Sequence, residues 1–431
     1  MTSIKQKLEL VASTGDLYCC SILESQKRDV KKSQDDLNLD YGKKDVAENH
    51  ESNFFKGAKW SPDGTTILTS SADNTIRTFI IPPSLLSANG PISLTPYTQH
   101  KHPTPVNGFY PYPNFCLASP ASTLYLSTPT NLPIRLLNAL SPSTSPLSSY
   151  FLTSLTTESY LTPASITYSS DTTFLTGTEC LISLFDLSRN GAGPLTRLPT
   201  IPSKRHRSKG GGVGMRGIVS TLAMSSTEGY MLAAGTWTRW VGLYDAGGLG
   251  GTIATWSVAD AADNVAGILG SGVSEVIWSA CGRYLCVVER MSRGVLVYDV
   301  RVTGKLLAWL EGREARTNQR LSAEVFQSDS GTEVWAGGTD GVVRVWDGVG
   351  KTAGSVPNTW EFQAHDNPVT ATIVHSSGSV VATCSGERSL LKIEELSEER
   401  HNISSFTMRD ESSFNPTAQA VPDNTLKIWR I

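Results

Sequence analysis

Apolar and polar positions along the chain repeat in a fixed order. Trp60, Asp63 and Gly64 lead into an apolar run from Thr66 to Thr69, then Asp73-Asn74, then a second run from Thr75 to Ile80. The order returns at Arg320 to Phe326, Ser330-Gly331, Glu333 to Ala336, Asp340-Gly341 and Val342 to Asp347. Alternating apolar positions punctuated by Asp-Gly or Asp-Asn predict three short strands joined by tight turns. The third strand is the easiest to follow, because it ends on an aromatic before a small polar residue. Seven segments read this way: 76–80, 134–138, 182–186, 241–245, 295–299, 343–347 and 426–430. Their last residues lie 48 to 59 positions apart, with one step of 83.

A loose period of this size resembles WD repeats, each of which contributes four strands to a propeller blade. Trp346-Asp347 keeps the Trp-Asp pair itself, while Phe185-Asp186, Tyr244-Asp245 and Tyr298-Asp299 are chemical relatives. The expected fold is all-β, a seven-bladed WD40-type propeller. The sequence ends just after the third strand of the seventh repeat, so an outer strand has to come from elsewhere. Lys7 to Ala12 and Asp16 to Leu23 can supply it, and residues 1–23 are therefore expected to close the last blade.

Three stretches stand outside the repeats. Residues 24–52 form a charged linker; Glu24 to Glu51 alone carries 6 basic and 8 acidic side chains with little apolar content. Ser141 to Ser149 reads as a flexible loop between blades two and three, with Ser-Pro steps open to a proline-directed kinase. Within the propeller, 53–431, an acidic insert at 387–422 separates the second and third strands of the last blade and accounts for the long step.

The balance of 37 basic against 40 acidic residues, net −3, excludes RNA binding through bulk positive charge. Any such contact needs a local patch. With 39% hydrophobic residues and 10 Trp, a packed core is expected. The seven Cys include no C-x-x-C pair, and the Cys281–Cys286 spacing suits neither zinc nor a redox dithiol. Reduced thiols in a soluble intracellular protein are expected, with no metal, no cofactor and no membrane span.

No catalytic constellation stands out, so no enzyme activity is expected. Gly210 to Met215 follows a basic loop and lacks the Lys-Ser or Lys-Thr of a phosphate loop. His102 and His365 each precede an inner strand by four residues and are expected to hydrogen-bond a turn carboxylate and a strand hydroxyl. Asp73 and Asp340 are the matching turn carboxylates, and with Trp346 these form a framework set. The basic run Lys204, Arg205, Arg207 and Lys209 could grip RNA phosphates, direct nuclear import, or be a solvated loop. More specific is the segment containing Arg313, Arg316, Asn318, Gln319 and Arg320, placed at the entry to blade six. Guanidinium forks suit phosphates, and amides suit base edges. Trp237 and Arg239, in a tight turn of blade four, offer planes for stacked bases, although blade-to-blade packing is the competing role for the Trp.

These residues carry a more specific resemblance. Asn53 to Gly64, Leu68 to Asn74, Ile81 to Pro83, Pro133-Ile134, Gly217 to Ser220, Gly242 to Tyr244, Thr317 to Arg320, Ala382 to Arg388 and Leu426 to Trp429 match, in order, the WD-repeat family of the telomerase Cajal-body protein. The similarity covers roughly residues 53–431 and includes splicing-associated yeast-type relatives. It implies a nuclear RNA-binding propeller of the nucleoplasm and Cajal-body-like foci. Such a protein assembles or traffics small nuclear and Cajal-body ribonucleoproteins, telomerase RNA included, by taking a single-stranded RNA loop. It also implies ribonucleoprotein proteins as partners, and synthesis in the cytoplasm with help from the ring chaperonin. The alternative is a protein-only WD40 scaffold associated with spliceosomal particles.

Overall fold

A computed structural model describes residues 4–15, 20–21, 50–201, 214–227, 230–245, 251–388, 390–391 and 423–431. Seven antiparallel sheets form the blades of a closed propeller. Their inner strands are Phe55–Trp60, Val106–Pro111, Ser165–Tyr168, Val219–Met224, Val273–Trp278, Ala323–Ser328 and Val369–Val374. Each contacts the next around the ring, and the seventh returns to the first. All seven segments read as third strands are third strands.

The core lies between blades, where each of the seven hydrophobic clusters fills one blade-to-blade seam. Trp60 and Trp278, each the last residue of an inner strand, donate Nε1–H to a carbonyl of the adjoining blade. The acceptors are Ile373 at 3.2 Å and Ala223 at 3.1 Å. A buried indole needs that partner, and the bond ties neighbouring inner strands at one channel mouth.

Closure comes from the N-terminus. Glu9–Ser13 pairs antiparallel with Leu426–Arg430 and completes blade seven. Val11 and Ala12 are buried in the seam between blades seven and one, and Leu8 packs into the seam with blade six. Two further strands add at blade edges: Ile4–Lys5 runs parallel to Trp360–Gln363, and Ile92–Ser93 runs parallel to Glu9–Ser13. The second N-terminal segment does something else. Cys20–Ser21 pairs with His50–Ser52, which also pairs with Leu390–Leu391 in a separate three-stranded sheet. Another expectation shifts: Ser148–Tyr150 is the outer strand of blade two, so the Ser-Pro stretch lies inside that blade.

The acidic insert falls largely outside the described residues, but the strands on either side of it pair directly. Val380–Ser385 and Leu426–Arg430 are in register, and Ser385 N–H bonds the Thr425 carbonyl at 3.0 Å. The insert therefore connects two adjacent strand ends. Excising Glu394 to Glu411 is expected to shift stability by about 0.6 kcal/mol per halving of loop length, read from a denaturant midpoint. A collapse of folded yield would give the insert a structural role.

The framework His residues divide. His365 is buried, with Nε2 at 2.8 Å from Thr383 Oγ1 and Nδ1 at 3.2 Å from Asp423 Oδ2. Trp429 Nε1 donates to the same Thr383 hydroxyl at 2.9 Å. Burial lowers the His365 pKa against the opposing pull of Asp423, which keeps the ring neutral. His102 departs from expectation: it is buried, and among the described residues neither ring nitrogen has a hydrogen-bond partner. Burial, then Arg135 and His100, push its pKa down to about 4. The reason is local, since the turn of blade two holds Asn131 and Leu132 where a carboxylate would stand. Asp73 and Asp340 are framework residues with a different partner. Each pairs with an Arg four positions on, Arg77 and Arg344 respectively, and not with a His. Trp346 is fully buried and donates to the Glu311 carbonyl at 3.2 Å. At Gly341, φ is +74° and a Cβ would sit 1.9 Å from the His365 carbonyl, so this Asp-Gly turn admits only glycine.

Candidate functional site

Antiparallel order within a blade puts the turn between its second and third strands at the same end as the link from its outer strand to the next blade. Trp237, Arg290, the 316–320 segment and Arg388 all occupy such positions. They gather on one rim of the central channel, a cavity of about 1860 Å³.

The 316–320 segment joins the outer strand of blade five, Leu306–Ala315, to the inner strand of blade six. Arg316 and Asn318 are exposed, and neither side chain makes a hydrogen bond among the described residues. Gln319 is half-buried and already engaged at both ends. Its Nε2 donates to the Gly386 carbonyl at 2.8 Å, and its Oε1 accepts from Arg388 N–H at 3.3 Å. It holds the segment against blade seven. Arg320 reaches across the channel to the Ser220 carbonyl of blade four at 2.8 Å. Arg313 belongs to the outer strand of blade five, fully buried, with donors on the Gly337 and Leu321 carbonyls. Burial pushes its pKa down to about 10, and it does not reach the channel mouth.

Arg239 is the main correction. Its guanidinium binds Glu289 at 2.7 Å and both oxygens of Asp263, at 2.6 and 2.8 Å. The Asp263 bonds raise its pKa, burial opposes them, and Glu289 raises it further. A cation held by two carboxylates has no net charge left for a phosphate. The partners come from blade five and the preceding link, more than twenty residues away in sequence, so no local pattern announces them.

Trp237 remains available, 42% exposed on the rim. Stacked on it is Arg290, absent from the sequence expectations, with its guanidinium carbon 4.7 Å from the ring centroid. The only sequence signal was its place in the turn of blade five equivalent to that of Trp237. Gly272 makes the approach possible, because a Cβ there would meet the Trp237 carbonyl at 2.7 Å. Lys204, Arg205, Arg207 and Lys209 lie outside the described residues.

Deeper in the channel the inner strands carry Lys59, Glu275 and Glu324. Lys59 Nζ sits 4.6 Å from the Tyr110 ring centroid, and Glu275 accepts from Ala323 N–H at 2.9 Å. Burial pushes the Glu324 pKa up to about 8, with Lys59 opposing and Glu275 adding to the rise. Between about pH 4.5 and 8 the unfolded chain releases this proton while the folded one keeps it, so stability falls as pH rises. Thermal melts across that range are expected to show a shallower decline for Glu324→Gln than for the natural chain. Equal slopes would mean the carboxyl is ionised at neutral pH.

The fold and rim can now be set beside known proteins. The WD domain, G-beta repeat pattern matches residues 44–79. The chain is 28% identical over 344 residues to guanine nucleotide-binding protein negative regulator 1 of Schizosaccharomyces pombe, covering 76% of this chain and 81% of that one. It is a WD-repeat propeller. To telomerase Cajal body protein 1 of Homo sapiens it is 27% identical over 341 residues, 78% of this chain and 57% of the human protein. To protein SWT21 of Candida glabrata it is 24% identical, over 75% of this chain and 78% of that one. The resemblance to the Cajal-body proteins and their yeast-type relatives thus extends over most of the propeller, and the chain spans less than two thirds of the human relative. Among the described residues, no helix is long and apolar enough to cross a membrane.

Proposed function

We propose that this propeller is a non-enzymatic, nuclear RNA-binding factor that assembles or traffics small nuclear ribonucleoproteins of the Cajal-body type. One observation carries the reading. Arg316 and Asn318 make no side-chain hydrogen bond among the described residues and stand on the rim with Arg320, Arg290 and an exposed Trp237. Forked cations, a free amide and an aromatic face are the groups that take a single-stranded RNA loop. Relatives named for telomerase and the Cajal body support the choice of particle. The basic run from Lys204 to Lys209 would add phosphate contacts or nuclear import, and folding would draw on the cytosolic ring chaperonin.

Crosslinking in cells followed by sequencing of the attached RNA tests this, with small nuclear RNAs as the expected yield. Arg316→Ala is expected to weaken binding to all RNAs and reduce the salt slope by about 0.7, as loss of one single-strand phosphate contact does. Asn318→Ala is expected to relax sequence preference at about 1–3 kcal/mol for the lost base contact. Recovery of proteins without RNA would favour the protein-only scaffold. The name of the S. pombe relative, a regulator of a guanine nucleotide-binding protein, gives that second reading its support.

A further inference from the structure

The rim holds two cations whose arrangement is unexplained by folding alone. Met291 N–H bonds the Thr317 carbonyl at 3.2 Å, which draws the turn of blade five onto the 316–320 segment. Arg290 and Arg320 both line the channel at this rim. Among the described residues the buried Nε of Arg290 has no hydrogen-bond partner, and the like charge of Arg320 acts on it. Burial first, then Arg320, lowers the Arg290 pKa. Trp237 keeps Arg290 in place from one side, and the Ser220 carbonyl fixes Arg320 from the other. Glu275 lies near Arg320 and offsets part of its charge, whereas no carboxylate bonds Arg290 among the described residues.

We infer that Arg290 and Arg320 form a clamp for a single phosphate group, with Trp237 as the residue that positions Arg290. The inference rests on the RNA reading above for its natural ligand, a phosphodiester of a single-stranded loop, and names the point where the strand is gripped. Two guanidiniums on one rim, one stacked on Trp237 and the other bonded to the Ser220 carbonyl, suit a tetrahedral oxyanion, which supplies acceptors to both. Arg316 and Arg388, exposed on the same rim, would then meet neighbouring phosphates.

A clamp on one phosphate predicts non-additivity. Binding of a single-stranded RNA oligonucleotide is measured against salt for the natural chain, Arg290→Gln, Arg320→Gln and the double variant, with thermal melts confirming the fold. Each single change is expected to reduce the salt slope by about 0.7, and the double change by the same amount only, because a single phosphate is lost. A drop of about 1.4 in the double variant means two separate phosphates and overturns the clamp. An unchanged slope in Arg290→Gln also overturns it while leaving RNA binding at the rim intact. Should Arg320→Gln fail to fold, Trp237 provides the second measurement. Trp237→Ala is expected to match the slope of Arg290→Gln with no further loss when the two are combined, and Trp237→Phe to retain the natural slope. Additive losses there contradict the positioning role. Inorganic phosphate alone separates the clamp from the RNA reading. If no RNA binds but phosphate raises the melting temperature of the natural chain and not of Arg290→Gln, the clamp stands and its ligand is a free phosphate. If neither RNA nor phosphate binds, both readings fall.

Discussion

Removing Leu8 to Thr14 is expected to leave a chain that aggregates on expression and shows no cooperative melt. The segment completes blade seven by pairing with Leu426–Arg430, so its loss exposes a full strand edge in a fold that otherwise closes on itself. It also empties two seams, since Val11 and Ala12 fill one and Leu8 the other. Burial of a Val alone contributes about 1.5–3 kcal/mol, and the hydrogen-bond ladder adds to it. Val11→Asp isolates the packing part, because it keeps the backbone ladder and puts a charge into the seam. That variant is expected to lose at least about 3 kcal/mol in a denaturant titration. The Arg430–Glu9 ion pair, by contrast, is half-exposed and contributes little. A folded deletion variant with unchanged unfolding would show that the ring holds without its terminal strand.

Arg239→Ala is expected to cost about 3–5 kcal/mol of stability and to leave the salt dependence of the proposed RNA binding as it was. Its partner Glu289 is 3% exposed, and burial already raises that carboxyl even with Arg239 against it. Without Arg239 the carboxylate is buried beside Asp263 with no cation, which is where the cost arises. Glu289→Gln on top of Arg239→Ala is expected to return part of the loss, since no buried charge is then left unpaired. A variant with natural stability but lost RNA binding would restore Arg239 to the rim's working surface.

The rim shows how far local reading reaches. Arg316 and Asn318 are where the 316–320 segment suggests, exposed at a blade entrance. Sequence alone gives no means to separate them from Arg239 or Gln319, whose side chains end on blade five and blade seven. Arg290 carries no motif; its meaning comes from Trp237 beneath it and Arg320 on the same rim, fifty-odd and thirty residues away. Likewise His102 and His365 look alike in sequence, and the residue in the facing turn decides that, among the described residues, His365 is bonded and His102 is not.

The number of blades, the third strand of each and the need for a terminal strand were all legible in the sequence. They depend on alternation and turn chemistry, which act over a few residues and repeat seven times. What the tertiary structure alone decided is which polar side chains keep their donors. A guanidinium or amide is indifferent in sequence to whether it meets water or a carbonyl, and that outcome depends on strands from other blades arriving at the same rim. Closure of the ring therefore determines the fold and the site together: it brings Ser220, Trp237, Arg290 and Arg320 to one mouth of the channel, and each comes from a segment that could not identify the others.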